Sequence, residues 1–351
     1  MNTEFSQLET EVAAAIAPEI ETKKPLLEFL TPNEMKAYRA PEGSELVGDS
    51  HIVRGAVFVI GGAPGVGKSR ASVALAMAGA LREPWFGLSI QKQFRTMIIQ
   101  NENGRKRLSD EFFTLPCDDL ESWIRVSPPP PFGIDLNNPD FQNALKEAIA
   151  AFVPDVVLFD PWNALAPDDK ARDYMETFKL IRKIVPAGDN SPAIGIVAHT
   201  RKPKHDERAS GRGLSTLLAG SYILASVPRT VFVLQPASDA TEDSRVVFTC
   251  CKNNDGDMGA PSAWKRRNGL FEAVSDFDWE EFGKPTGGRS TITEEDMAEI
   301  FEGGTLSKGE ARKALMERTR CAKSAAYEAL ELPGRFDRFL KLEGGKYAWR
   351  P

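Results

Sequence analysis

Seven short runs of apolar and β-branched residues punctuate the middle of the chain. They are AVFVIG (56–61), RTMIIQ (95–100), WIRVSP (123–128), DVVLFD (155–160), AIGIVAH (193–199), RTVFVLQ (229–235) and SRVVFTCCK (244–252). The gaps between them carry helical periodicity at 69–82, 104–114, 139–152, 173–184 and 215–226. Strands that alternate with helices predict a mostly parallel sheet covered on both faces. The last two runs follow each other closely and predict an antiparallel pair at one edge.

Outside this block the rhythm changes. Residues 1–24 read as a short amphipathic helix, and the stretch to Val53 mixes Pro, Gly and charge as an irregular lead-in. The alternating block, 54–281, is the expected main domain. FGKPTGGRST (282–291) reads as a linker. Residues 292–351 then form a separate small unit, with helices at 293–301, 307–317 and 322–331. A hairpin-like tail follows, with Gly344-Gly345 as its turn. Pro128–Pro131 reads as a loop, and no internal repeat is visible.

A chain of 351 residues fits one large α/β domain plus a smaller one. Its net charge of −6 argues against a wholly basic, nucleic-acid-coating surface but leaves room for a local patch. Cys117, Cys250, Cys251 and Cys321 lack metal spacing and read as structural thiols of a reducing compartment. Cys250 and Cys251 would face opposite sides of one strand. The acidic start has no basic leader, and no apolar run could cross a bilayer, so a cytoplasmic, membrane-free protein is expected.

The sharpest motif is G-x-x-x-x-G-K-S, at Gly62, Ala63, Pro64, Gly65, Val66, Gly67, Lys68 and Ser69. Glycines allow a backbone whose N–H groups converge on phosphate. Lys68 would reach the β- and γ-phosphates, Ser69 would ligate magnesium and start the helix that adds its dipole, and Arg70 is a further nucleotide-binding candidate. An apolar strand precedes the motif and a helical pattern follows, which is the required context. ATP and Mg2+ are the expected cofactors. Asp160, ending VVLFD, is the candidate second magnesium ligand. Pro161 follows it, so the group that activates water must come from elsewhere. Glu102, just past RTMIIQ, is that candidate base.

Together these residues resemble the RecA-like ATPases, and among them the RepA-type hexameric replicative helicases. The resemblance spans about residues 25–265. It implies a RecA-like α/β fold and places His199, at the end of IGIVAH, as the γ-phosphate sensor. AGSYILASVPRTVFVL resembles a RepA-type segment through Gly220, Ser221 and Arg229. CKNNDGDMG resembles the K-x-R-N-G-x-x-G pattern through Lys252 and Gly256, with Asn254 where the arginine would stand. In those helicases the lysine and arginine reach a neighbour's ATP, so Arg229 and Lys252 are the candidate trans residues here. The implied assembly is a homo-oligomer, a hexamer.

Two basic regions bear on nucleic acid. TRKPKHDERASGRGLST (200–216) carries Arg201, Lys202, Lys204, Arg208 and Arg212 and no aromatic residue. It reads either as a solvated loop or as a channel loop that tracks single-stranded DNA. APDDKARDY (166–174), with mixed charge, is a weaker second channel loop. The tail resembles a winged helix, and from Leu306 onward it holds 11 Lys/Arg against 6 Asp/Glu. Arg320, Lys323, Ser324 and Tyr327 are its candidate duplex-DNA contacts. Such modules also bind proteins, a replication protein included. Three functions compete: a single-strand DNA motor of a plasmid, phage or mobile element, a nucleotide-switched regulator, and, with least support, a small-molecule kinase.

Overall fold

A computed structural model describes residues 27–113, 115, 120–166, 170–201, 209–220, 222–238, 240, 242–267, 269–283, 292–319, 321 and 323–350. The chain divides into two compact units, Met1–Pro41 and Glu42–Pro351. In the first, a helix spans Pro32–Ala37. Thr31 and Glu34 close a capping box at its start, with each side chain bonding the other's backbone. That helix buries none of its residues. The expected helix at 1–24 lies outside the described residues.

The second unit is built on a nine-stranded sheet. After a small antiparallel pair, β1 (Glu45–Val47) with β2 (Ile52–Val53), come β3 (Val57–Gly62), β4 (Thr96–Gln100), β5 (Ile124–Ser127), β6 (Val156–Asp160) and β7 (Ala193–His199). They are followed by β8 (Thr230–Pro236), β9 (Arg245–Asn253), β10 (Ser262–Arg267) and β11 (Leu270–Ala273). The spatial order is β11-β10-β9-β8-β3-β7-β6-β4-β5. Strands β3 to β8 run parallel, and β9, β10 and β11 add antiparallel neighbours. The expected antiparallel pair is therefore present as β8–β9, but it is not the edge: the β10–β11 hairpin extends the sheet beyond it.

Alternation along each strand fills two cores, one per face. Phe58, Ile60, Ile98, Leu158, Phe232 and Cys250 pack with the helix Lys68–Leu81. Val57, Val59, Ile99, Phe159, Val233 and Cys251 pack with the helices Pro139–Phe152 and Ala171–Ile184. The adjacent cysteines thus enter opposite cores, as expected. Burial pushes both thiols up to about 12.

Two expected elements changed. The helix read at 215–226 is a 3-10 turn at Gly211–Leu217 and a short helix at Ile223–Ser226. Between them Gly220 sits at φ +89, outside helical space. The lead-in read as irregular holds β1 and β2. A small C-terminal α+β unit has its own core around Met297, Leu315, Leu330 and Leu340. It comprises helices Glu294–Ile300, Lys308–Thr319 and Lys323–Ala329 and the hairpin β12 (Leu340–Glu343) with β13 (Lys346–Trp349). Gly344 and Gly345 both have positive φ in its turn. No described helix is long and apolar enough to cross a membrane.

Gly195 shows how tightly the centre of the sheet is packed. A Cβ there would lie 2.2 Å from Leu158 Cδ2 and 2.6 Å from Phe58 Cζ. Gly195→Ala should destabilise the domain by about 1–3 kcal/mol, because neither neighbour can retreat from a close-packed core. Thermal unfolding checks this, and an unchanged Tm would show slack between β6 and β7.

Candidate nucleotide site

Register assembles the site. Gly62 pairs with His199 on one side and with Leu234 on the other, and Gln100 pairs with Asp160. The carboxyl ends of β3, β4, β6 and β7 therefore share one edge of the sheet, where open α/β sheets bind ligands. Strand β7 lies between the phosphate-loop strand β3 and the Asp160 strand β6.

The loop after β3 needs its glycines. A Cβ on Gly62 would sit 2.8 Å from the Leu234 carbonyl, and Gly65 and Gly67 have φ of +75 and +107. The helix begins at Lys68 without a side-chain cap or an acidic first turn, so the loop–helix junction offers N–H groups to an anion. Lys68 is buried. Its Nζ donates to the Ala63 carbonyl at 3.0 Å and lies 3.1 Å from His199 Nδ1. Burial lowers the lysine's pKa, and the charges of Asp160 and Glu102 oppose that shift. Burial and Lys68 hold the His199 imidazole below its ordinary value, with Glu102 opposing. A neutral imidazole beside an ammonium must accept at Nδ1, which assigns its proton to Nε2.

Asp160 is 2% exposed. Burial pushes its carboxyl up to about 6, despite a hydrogen bond from Ser69; the nearby charges of Glu102 and Glu111 add to the rise and Lys68 opposes it. Gln100 Nε2 approaches Asp160 Oδ2 at 3.5 Å and Asn103 Nδ2 donates to Gln100 Oε1 at 3.0 Å. Asn101 Oδ1 accepts from the Ile134 N–H at 3.1 Å, which anchors the turn that carries the exposed Glu102. Lys68, Ser69, Glu102, Asp160 and His199 are thus brought together.

Other expected residues lie elsewhere. Arg229 precedes β8 and Lys252 is the penultimate residue of β9, at the opposite edge of the sheet. Arg229 forms a two-pronged pair with Asp255 at 2.9 and 2.7 Å. Lys252 Nζ donates to the carbonyls of Ala225, Ser226 and Pro228 at 2.9, 3.0 and 2.6 Å. Neither touches this chain's own phosphate loop. Arg70 Nε is 4.0 Å from Glu111 Oε1. The Arg201 N–H donates to the Leu217 carbonyl at 2.8 Å, and Arg212 is exposed in the 3-10 turn. Lys202, Lys204, Arg208, Ser221 and Arg320 lie outside the described residues. Lys323 and Ser324 begin the last helix, with side chains outside the described set. Tyr327 in that helix accepts from Arg312, whose guanidinium lies 4.9 Å over the ring. The second channel-loop candidate is partly helical, since a helix starts at Ala171.

The sequence reading missed Gln100, Glu111 and Arg266. Gln100 and Glu111 carry no local signal; Arg266 does, in the Asn268-Gly269 dipeptide that marks a hairpin between its flanking residues.

A family model described as an AAA domain matches residues 21–204. The chain belongs to the AAA domain family. It is a nucleotide-driven ATPase with a RecA-like arrangement of strands around its phosphate loop. No curated protein gives a significant match. Among solved structures, the AAA-domain chain is similar to a KaiC-like protein from the hyperthermophilic archaeon Pyrococcus horikoshii OT3. The two are 14% identical, the match covers 67% of this chain and 96% of that one, and the TM-score is 0.46.

A buried carboxyl with a raised pKa makes a testable statement about stability. The folded carboxyl holds its proton more tightly than the unfolded one, whose value is 3.8. The resulting handicap is absent below that pH, grows to about 6 and is full above it. It amounts to on the order of 2–3 kcal/mol. Asp160→Asn should therefore raise the Tm of the nucleotide-free protein at neutral pH, with the two proteins converging below pH 4. A neutral-pH Tm lower than wild type would mean the charge is stabilised in place.

Proposed function

We propose that this chain is a magnesium-dependent ATP hydrolase that works as a ring, a hexamer, on single-stranded DNA. The observation that carries the reading is the position of His199. It contacts the phosphate-loop lysine and is also the last residue of β7, from which the basic loop springs. Both ends of that loop are pinned there. Thr200 bridges Leu218, the Arg201 N–H donates to Leu217, and the Ala219 N–H donates to the His199 carbonyl. A change of partner at Lys68 thus has a short, hydrogen-bonded route to the loop's base.

In this reading a triphosphate oxygen takes over the donors that now meet the Ala63 carbonyl, the ammonium of Lys68 and the N–H of Val66. Ser69 and Asp160 would hold Mg2+. They are hard oxygen donors already hydrogen-bonded to each other, and the Lys68 charge does not offset the carboxyl's burial. Among the described residues no group of three His, Cys, Asp or Glu forms a metal site, which suits an ion that takes its remaining ligands from phosphate and water. The bound ion supplies charge neutralisation at the phosphates. Glu102, exposed and close enough for its charge to act on Lys68, Asp160 and His199, orients the attacking water. His199 reports the γ-phosphate through Lys68. Arg201, Arg212 and the basic residues between them grip the strand's phosphates without reading sequence. We assign residues 292–351 as a winged-helix module after a linker, with Tyr327 on the helix that would face duplex DNA or a replication protein.

One observation favours a second reading, the nucleotide-switched regulator. A ring motor needs a cation free to reach the neighbour's nucleotide. Arg229 is held by Asp255, Lys252 by three carbonyls, and Asn254 replaces the third candidate. As a trans residue Arg229 would have to leave Asp255.

Steady-state ATP hydrolysis with and without an unstructured single-stranded oligonucleotide separates the two. The motor predicts stimulation of about tenfold or more. Lys68→Ala should abolish the activity. Glu102→Gln should lower kcat by about a hundredfold or more while nucleotide still binds. Hydrolysis indifferent to single strands would reject the motor and leave the regulator.

A further inference from the structure

Arg266 reaches the phosphate loop from β10, beyond the residues that the family model covers. It is half-buried. Its Nη1 donates to the Gly65 carbonyl at 2.9 Å and its Nε to the Ser244 carbonyl at 3.3 Å. Across the hairpin it pairs with Phe271, whose ring packs 4.7 Å from Phe86. The same two residues close on the next loop glycine. A Cβ on Gly67 would lie 3.3 Å from Arg266 Cδ and 3.5 Å from Phe271 Cζ. The hairpin is therefore tied to the core on one side and to the loop on the other.

The contact orients the loop. In a planar trans peptide the Gly65 carbonyl and the Val66 N–H point in opposite directions. A guanidinium gripping the carbonyl from the hairpin side turns that N–H away from the hairpin. It lies 3.3 Å from the Ala63 carbonyl, which also accepts from Lys68 Nζ at 3.0 Å. Arg266 thus directs a backbone donor to the point where the lysine ammonium converges. Arg266 and Arg107 both repel Arg70, and Glu111, whose Oε1 lies 4.0 Å from Arg70 Nε, offsets part of that charge.

We propose that Arg266 is a positioning residue of the phosphate loop, holding the Gly65 carbonyl outward so that the loop's N–H groups are pre-arranged for the diphosphate unit shared by ADP and ATP. The proposal rests on the ATPase reading above. Because Arg266 acts on the loop and not on the γ-phosphate, its loss falls on nucleotide affinity and spares the chemical step.

Calorimetric titration of the full chain with ADP and with a non-hydrolysable ATP analogue, alongside steady-state hydrolysis, tests this in wild type, Arg266→Ala and Arg266→Lys. Arg266→Ala should weaken both nucleotides by about tenfold, raise KM to match and leave kcat within about twofold. Arg266→Lys, which can still donate to the carbonyl, should recover part of the affinity. Unchanged affinity in Arg266→Ala overturns the proposal. So does a loss confined to the triphosphate with a collapse of kcat, since that marks direct contact with the reacting group. Failure of the lysine to rescue, with both variants melting early, reduces Arg266 to a structural part of the hairpin. If wild type binds neither nucleotide, the ATPase reading falls and this proposal falls with it.

Discussion

The contact between Lys68 and His199 organises the carboxyl edge of the sheet. It exists because β3 and β7 are parallel and in a register that sets Gly62 opposite His199. The lysine is too buried to be solvated, and it shares its protons with the Ala63 carbonyl and the imidazole. Each partner belongs to an element with a task in the proposed cycle. Ala63 is part of the loop that would receive phosphate, and His199 is the root of the basic loop. One ammonium thus sits where substrate and response would meet.

The acidic half of the site is set by dehydration. Asp160 ends a strand with every residue buried, so its charge is costly until cations arrive. The protein offers it a hydroxyl from Ser69, an amide from Gln100 and the nearby charge of Lys68, which together do not offset its burial. Strain of this kind is expected where a ligand completes the electrostatics.

Much of this was legible in the sequence, because the signals are local. All seven apolar runs are strands, within a residue or two of their expected bounds. The phosphate loop, the strand ending in Asp160 and the Gly344-Gly345 turn are each specified by neighbouring residues. What escaped was set by long-range pairing. Nothing near Glu111 announces a buried carboxylate, since its helix, RKRLSDEF, reads as solvated. The β10–β11 hairpin carried its own mark, Asn268-Gly269, yet SAWKRR is too charged to stand out as a strand. Arg229 and Lys252 are a different case. The resemblance implies reach toward a neighbour; within this chain the lysine closes the end of a short helix and the arginine holds an aspartate.

The pinned base of the basic loop has a geometric consequence. Arg201 and Leu217 are bonded across the stem, so the loop's ends stay about one strand spacing, ~5 Å, apart however the rest moves. Such a tether cannot transmit a stretch. Leu214 and Leu217 bury the turn Gly211–Leu217 in the core, so a displacement at His199 would reach the loop through a base that is itself anchored on both sides.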